Sequence, residues 1–171
     1  MTQNSTHTIE EIKGLIESIG RTGRDEVYLD NVSFHIEPHQ FDTLYGSHAF
    51  GVEEVAKHIY SYFSPIDYDP VFGEVIVKKG NLAPEELVCL QILPPSPSAD
   101  GFLIDMTVTV SNSDVTNELS QVISICKLVL DHVVEEVGAK AGKITFNVAI
   151  AYVLWDDVEQ IVEWDEIEIP R

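Results

Sequence analysis

Between positions 115 and 137 the chain carries Leu119, Val122, Ile123, Ile125, Leu128, Val129, Val133 and Val137, which puts apolar side chains on almost every face of a helix. At about 1.5 Å per residue such a helix is more than about 30 Å long. A helix that is apolar all round has to be buried on several sides, so the rest of the chain must be built around it. "GAKAGK" ends the pattern, and "ITFNVAIAYVLW" continues as a nearly unbroken apolar strand. The full 1–171 fits one domain, long enough to bury about two-thirds of the surface its unfolded form exposes.

The remaining segments supply the surrounding layers. Ile9, Ile12, Ile16 and Ile19 recur at helical spacing before Gly20, and "RTGR" reads as a turn. In "EVYLDNVSFHI" the apolar residues Val27 and Leu29 share one parity, whereas Val32, Phe34 and Ile36 share the other; that phase change predicts a bulge near Asn31. "SHAFGVEEVAKHIYSYFSP" reads as a second helix with Phe50, Val55, Ile59 and Phe63 inward, stopped by Pro65. Strands follow at 71–78, at "LVCLQIL" and at 102–111, the last two joined by the hairpin loop "PPSPSADG", and "VEWDEIEI" alternates as a final strand. This order lacks regular βαβ alternation. It predicts an α+β fold, a mixed or mostly antiparallel sheet with helices on one face, including the long buried central helix. Because 144–154 is apolar on both parities, the other face of the sheet needs a cover, and the economical one is a second copy of the chain, giving a homodimer through the sheet.

Charge narrows the partners. With 29 acidic residues against 10 basic, the formal charge is −19, which repels phosphate backbones and anionic lipid surfaces. Nucleic acid and membrane are therefore not expected partners. The two cysteines, Cys89 and Cys126, form no redox or metal-ligand spacing, His35 and His39 lie on an extended segment, and no metal site is expected. No signal-like start and no apolar run near ~18 residues are present, so a cytoplasmic protein is expected.

The stretch "TVTVSNSDV" at 107–115 joins an alternating strand to a polar knot and then to the long helix. Ser113 or Asp114 can offer a side-chain oxygen to the unpaired N–H groups that open a helix. The same corner is a natural place for a ligand.

Taken in order, "IGRTGRDEVYLDNVSFHI", "AFGVEEVAKHIYSY", "LQILPPSPSADGFLIDMTVTVSNSDV" and "ELSQVISICKLVLDHVVEEVGAKAGKITFNVAIAYVLWDDVEQI" resemble successive segments of the thymidylate synthase and deoxycytidylate hydroxymethylase family. The resemblance covers most of the chain and implies a thymidylate-synthase-like domain. In that family a cysteine thiolate adds to C6 of a pyrimidine nucleotide, so that C5 can take a one-carbon unit from a folate, methylenetetrahydrofolate. Arginines that hold the nucleotide phosphate also favour the thiolate.

Carried onto this sequence, the resemblance implies Cys89 as nucleophile and Glu54 as the glutamate that organises proton transfers, with Arg21, Ser113, Asp114, Gln121 and Tyr152 around the nucleotide and its phosphate. The departures are specific. The corner arginine of the family corresponds to Ser111, one alignment puts Glu86 rather than Cys89 at the nucleophile position, the pyrimidine-reading position corresponds to Val122 beside Gln121, and the His-x-Tyr pair becomes Tyr152 and Leu154. An arginine's permanent charge and planar fork are not replaced by serine. The expectation is a catalytically degenerate, cofactor-free homodimer acting as an interaction or pyrimidine-nucleotide-binding module. The alternative is a divergent C5 methyl- or hydroxymethyltransferase using methylenetetrahydrofolate.

Overall fold

A computed structural model describes residues 5–41, 51–77 and 84–158. In chain order the elements are α1 (Ser5–Ile19), β1 (Arg21–Thr22), β2 (Glu26–Ile36), a 3-10 turn (Pro38–Gln40), α2 (Val52–Tyr60), β3 (Glu74–Val77), β4 (Leu87–Ile92), β5 (Ser96–Ser98), β6 (Gly101–Asp114), α3 (Leu119–Val137), β7 (Lys140–Leu154) and a second 3-10 turn (Trp155–Asp157). The fold is α+β. One mixed sheet runs β1-β2-β7-β6-β4-β3, with β5 folded back onto β6. Every pairing is antiparallel except the central one, β6 beside β7, whose crossover is the long helix α3.

The helices pack on one face, α3 against β4, β6 and β7, α1 against β2 and β7, and α2 on α3. Leu119, Val122, Ile123, Ile125, Cys126, Val129, Leu130 and Val133 are fully enclosed, as the all-round apolar pattern of α3 requires. Gly138, in the left-handed region at φ 72°, ends the helix, a position where glycine carries no Cβ penalty. Phe50 and the expected last strand "VEWDEIEI" lie outside the described residues.

β2 changes phase where expected. Val27 and Leu29 turn toward the helices on one parity, Val32, Phe34 and Ile36 on the other, and Asn31 between them sits at φ 54°. The switch does not stop at β2. In β7 the buried residues are Ile144, Phe146 and Val148 and then Ala151 and Val153; in β6 they are Ile104, Met106, Val108 and Val110 and then Ser113. The register on either side is continuous: Asp30 pairs Ile150 and Val32 pairs Val148, while Asn112 pairs Ile150 and Val110 pairs Val148. Three neighbouring strands therefore switch faces in one row, at Asn31, Ala149 and Ser111, and no register is lost because all three switch together. The sheet is creased along that row. The apolarity of 144–154 on both parities, which in the sequence pointed to a covered second face, comes from this crease: one parity faces the helices before it and the other after it.

Asparagine tolerates the left-handed region better than other non-glycine residues, and a β-branched residue there is a steric outlier. Asn31→Val is therefore expected to lower the unfolding free energy by about 1–2 kcal/mol and Asn31→Gly to change it by a few tenths, in urea titrations followed by circular dichroism.

Candidate functional site

The polar knot is the end of a strand whose last residue caps the turn leading to the helix. β6 continues through Ser113 and Asp114, which pair with Ala151 and Tyr152, and α3 begins only at Leu119. The expectation of a helix opening directly at 115 is corrected by a tight turn at 115–118. Asp114 Oδ1 accepts from the backbone N–H of Thr116 at 3.0 Å and of Asn117 at 3.3 Å, and Glu118 Oε2 accepts from the N–H of Asp114 at 2.9 Å. Asn117 Nδ2 donates to Asp114 Oδ2 at 2.8 Å and to Asp157 Oδ2 at 3.1 Å, tying the turn to the end of β7. Asp114 thus caps the turn that feeds the helix. Ser113 lies on the helix face, fully buried, and its hydroxyl has no hydrogen-bond partner among the described residues.

On the face away from the helices, the crease leaves two hollows. One of about 400 Å³ lies over the crease itself, between Asn31, Ser33, Thr109 and Asn147, where Ser33 Oγ donates to Asn147 Oδ1 at 2.8 Å. The larger, about 820 Å³, lies beyond it toward β1. Its floor is built by alternation: β2 contributes Glu26, Tyr28 and Asp30, and β7 contributes Ile150, Tyr152 and Leu154. Tyr28 stands directly opposite Tyr152 and Asp30 opposite Ile150, so carboxylates and rings share one side. Asn112 closes the β6 side, and Arg21 and Asp25 come from the β1 turn.

The electrostatics of this cleft are acidic. Arg21 is already engaged, its Nη1 being 3.3 Å from Asp30 Oδ2. Asp25 and Glu26 add carboxylates without a cation beside them among the described residues. Burial pushes the Tyr152 phenol above the ordinary tyrosine range, and the neighbouring Glu118, Asp114, Glu86 and Glu26 push it further in the same direction. Its ring is therefore a neutral surface at any physiological pH.

Of the residues expected at a nucleotide site, the structure brings together Arg21 and Tyr152, with Asp114 alongside Tyr152 in the next strand. The others stand elsewhere. Cys89 is on β4, half-buried, paired with Val77 and Thr109. Four strand spacings, β4 to β6 to β7 to β2 to β1, separate it from the strand of Arg21, about 19 Å across the sheet. Glu54 is exposed in the first turn of α2, and Gln121 is exposed near the start of α3, both in the helix layer on the opposite side of the sheet. Ser111 does not line the cleft; its hydroxyl donates to the carbonyl of Glu86 at 3.2 Å.

Sequence reasoning missed Tyr28, Asp30, Asn112 and Ile150. The signal that could have found them was the phase change at Asn31, which moves Glu26, Tyr28 and Asp30 onto the free face. Among the described residues no helix is long and apolar enough to cross a membrane. The chain matches no protein-family model, and no curated protein matches it significantly in sequence.

Proposed function

We propose that this chain is a non-catalytic binding module of thymidylate-synthase-like architecture, homodimeric through the free face of its sheet, with the cleft beyond the crease as its ligand site. The observation that carries the non-catalytic reading is the separation of the parts. A reactive thiolate needs positive charge close by, and Cys89 lies about four strand spacings from the Arg21 strand. Glu54, the residue implied for proton transfers, is in the helix layer and exposed to solvent.

The dimer reading rests on where charge is missing. The two central rows of the free face, Cys89–Thr109–Asn147–Ser33 and Gln91–Thr107–Thr145–His35, carry no carboxylate, lysine or arginine; charge enters at the next row, with Asp105 and Lys143. In a chain of net charge −19 an uncharged field of this breadth is unusual, and depletion of charge marks the centres of interfaces. Within these two rows no carboxylate would be brought against another.

For the ligand, the sharing of one cleft by Arg21 and Tyr152 favours a mononucleotide, but its phosphate would have to displace Asp30 from Arg21 and lie against Asp25 and Glu26. The interaction-module reading is therefore the better supported of the two. At micromolar concentration the protein is expected to sediment at twice the 19.1 kDa chain mass and to release no tritium from C5-labelled deoxyuridylate or deoxycytidylate in the presence of methylenetetrahydrofolate. A sedimenting monomer would remove the dimer. Tritium release that vanishes in Cys89→Ser would establish the transferase instead.

A further inference from the structure

We infer that the cleft beyond the crease is a receptor for a guanidinium group, presented by a small molecule or by an arginine side chain; this rests on reading the chain as a binding module. The cleft has the three parts such a site requires. First, it has π-faces: Tyr28 and Tyr152, directly opposite each other across β2 and β7, put two rings on one floor, and a guanidinium over such a ring is attracted by its quadrupole. Second, it has acceptors on both sides of a ring. Glu26 and Asp30 flank Tyr28 at positions two residues either way along β2, so their carboxylates point to the same face about 7 Å from the ring's position. Planar forks of N–H donors match carboxylates in this arrangement. Third, it has room, an open cleft of about 820 Å³, with Ile150 providing apolar surface and Asn112 an amide at the far side.

The cleft also already holds a guanidinium. Arg21, on β1, lies at its edge with Nη1 3.3 Å from Asp30 Oδ2, while remaining largely exposed itself. It occupies one acceptor and leaves Glu26 and Asp25. Glu26 Oε1 lies close against Gly23 of the turn, in the space a side chain there would fill. Beside Tyr152, Asp114 in the neighbouring strand and Glu118 add negative potential around its phenol. An anionic ligand meets this potential unfavourably. A cationic one is drawn to it.

Arg21 gives the inference a sign that separates it from a phosphate site. If Arg21 were an anchor for phosphate, its removal would abolish binding; as an internal competitor for Asp30, its removal should strengthen binding of an external guanidinium. The experiment is a two-dimensional amide NMR titration of the full chain with agmatine, with an acetylated and amidated Gly-Arg-Gly peptide, and with deoxyuridylate and inorganic phosphate as anionic probes. Saturable shifts at Tyr28, Asn112 and Tyr152 with agmatine or the peptide are expected, and the stronger of these two tells a small-molecule ligand from a side chain. Affinity for the cationic probes is expected to fall about tenfold in Glu26→Gln and in Tyr152→Leu, and to rise a few-fold in Arg21→Ala. Because Arg21 and Glu26 are surface residues, these two variants keep the test independent of any folding defect in Tyr152→Leu. The inference is overturned by absence of saturable shifts with either cationic probe, by unchanged affinity in Glu26→Gln, by weaker binding in Arg21→Ala, or by tighter binding of deoxyuridylate than of agmatine. Neither result touches sedimentation or tritium release, so failure here leaves the binding-module reading to be judged on those.

Discussion

Phe146→Ala is expected to lower the unfolding free energy by about 3–5 kcal/mol, the range for deleting a buried aromatic ring from a core that cannot collapse around the space. Phe146 is fully enclosed on the helix face of β7. Its ring stacks on Phe34 of the neighbouring strand at a centroid distance of 5.1 Å and an interplanar angle of 16°, and its direct partners in the register are Phe34 and Val108. The residue thus joins β2 to β6 through the central strand, beneath α3. Its loss removes both the burial and the ring pair, which contributes about 0.5–1.5 kcal/mol beyond area. Urea unfolding followed by circular dichroism measures it, and in a chain of this size the midpoint of thermal unfolding drops by roughly 10 °C. A loss under about 1 kcal/mol would mean the core rearranges around the gap, contrary to the close packing described.

Gly73→Ala is the second large effect, expected near 3 kcal/mol from two causes acting together. Gly73 has φ 73°, a region where a Cβ costs about 1–2 kcal/mol. A Cβ there would also stand 2.0 Å from the carbonyl oxygen of Ile92, and a backbone atom of β4 cannot step aside as a side-chain tip can. The glycine closes a turn in which Asp69 does most of the holding. Its carbonyl accepts from the Gly73 N–H at 2.8 Å, and its Oδ1 accepts from the N–H groups of Val71 at 2.6 Å and Phe72 at 3.0 Å. That turn aims β3 at β4, so the substitution is expected to detach the β3 edge. Hydrogen exchange measured on the variant would show protection lost first at Glu74–Val77 and kept at β6 and β7. Full protection at β3 would place the strain elsewhere.

Several features were readable because local chemistry sufficed for them. The breadth of apolar residues on α3 demanded burial on several sides, and its apolar residues are enclosed between sheet and helices while Gln121, Glu135 and Glu136 stay exposed. The parity change in β2 pointed to an irregularity at Asn31, and Asn31 adopts a left-handed backbone there, but the expected bulge is absent: Asp30 and Val32 pair with Ile150 and Val148, one residue against one. The loop "PPSPSADG" demanded a hairpin, and β5 folds onto β6 with Ser98 opposite Gly101. Each of these is a constraint among residues near in sequence. Others were misread for the same reason. Asp114 in "SNSD" does cap the turn, as its type suggested, yet the helix starts at Leu119 rather than 115, and the strand runs on through the knot because Tyr152 and Ala151 on β7 supply partners that no local pattern announces.

The candidate site shows the division most clearly. Cys89, Glu54, Gln121, Ser113 and Arg21 were picked by type and order along the chain, and the fold distributes them over both faces of the sheet and across four strand spacings. Residue type says what a side chain can do; it does not say which face it lands on. On a strand that choice flips with a single residue.

The sequence by itself determined the α+β class, the buried central helix and the change of face at Asn31, since periodicity and glycine or asparagine chemistry act over a few residues. Only the tertiary structure decided that Ala149 and Ser111 switch faces in the same row as Asn31. Alanine and serine fit either face, so their side chains carry no signal, and the switch is imposed through the hydrogen-bonded register of β2, β7 and β6, whose strands must turn together to keep their backbone pairing. That collective turn is what sets Tyr28 opposite Tyr152 on the open face and makes a cleft from residues that lie more than 100 positions apart in the chain.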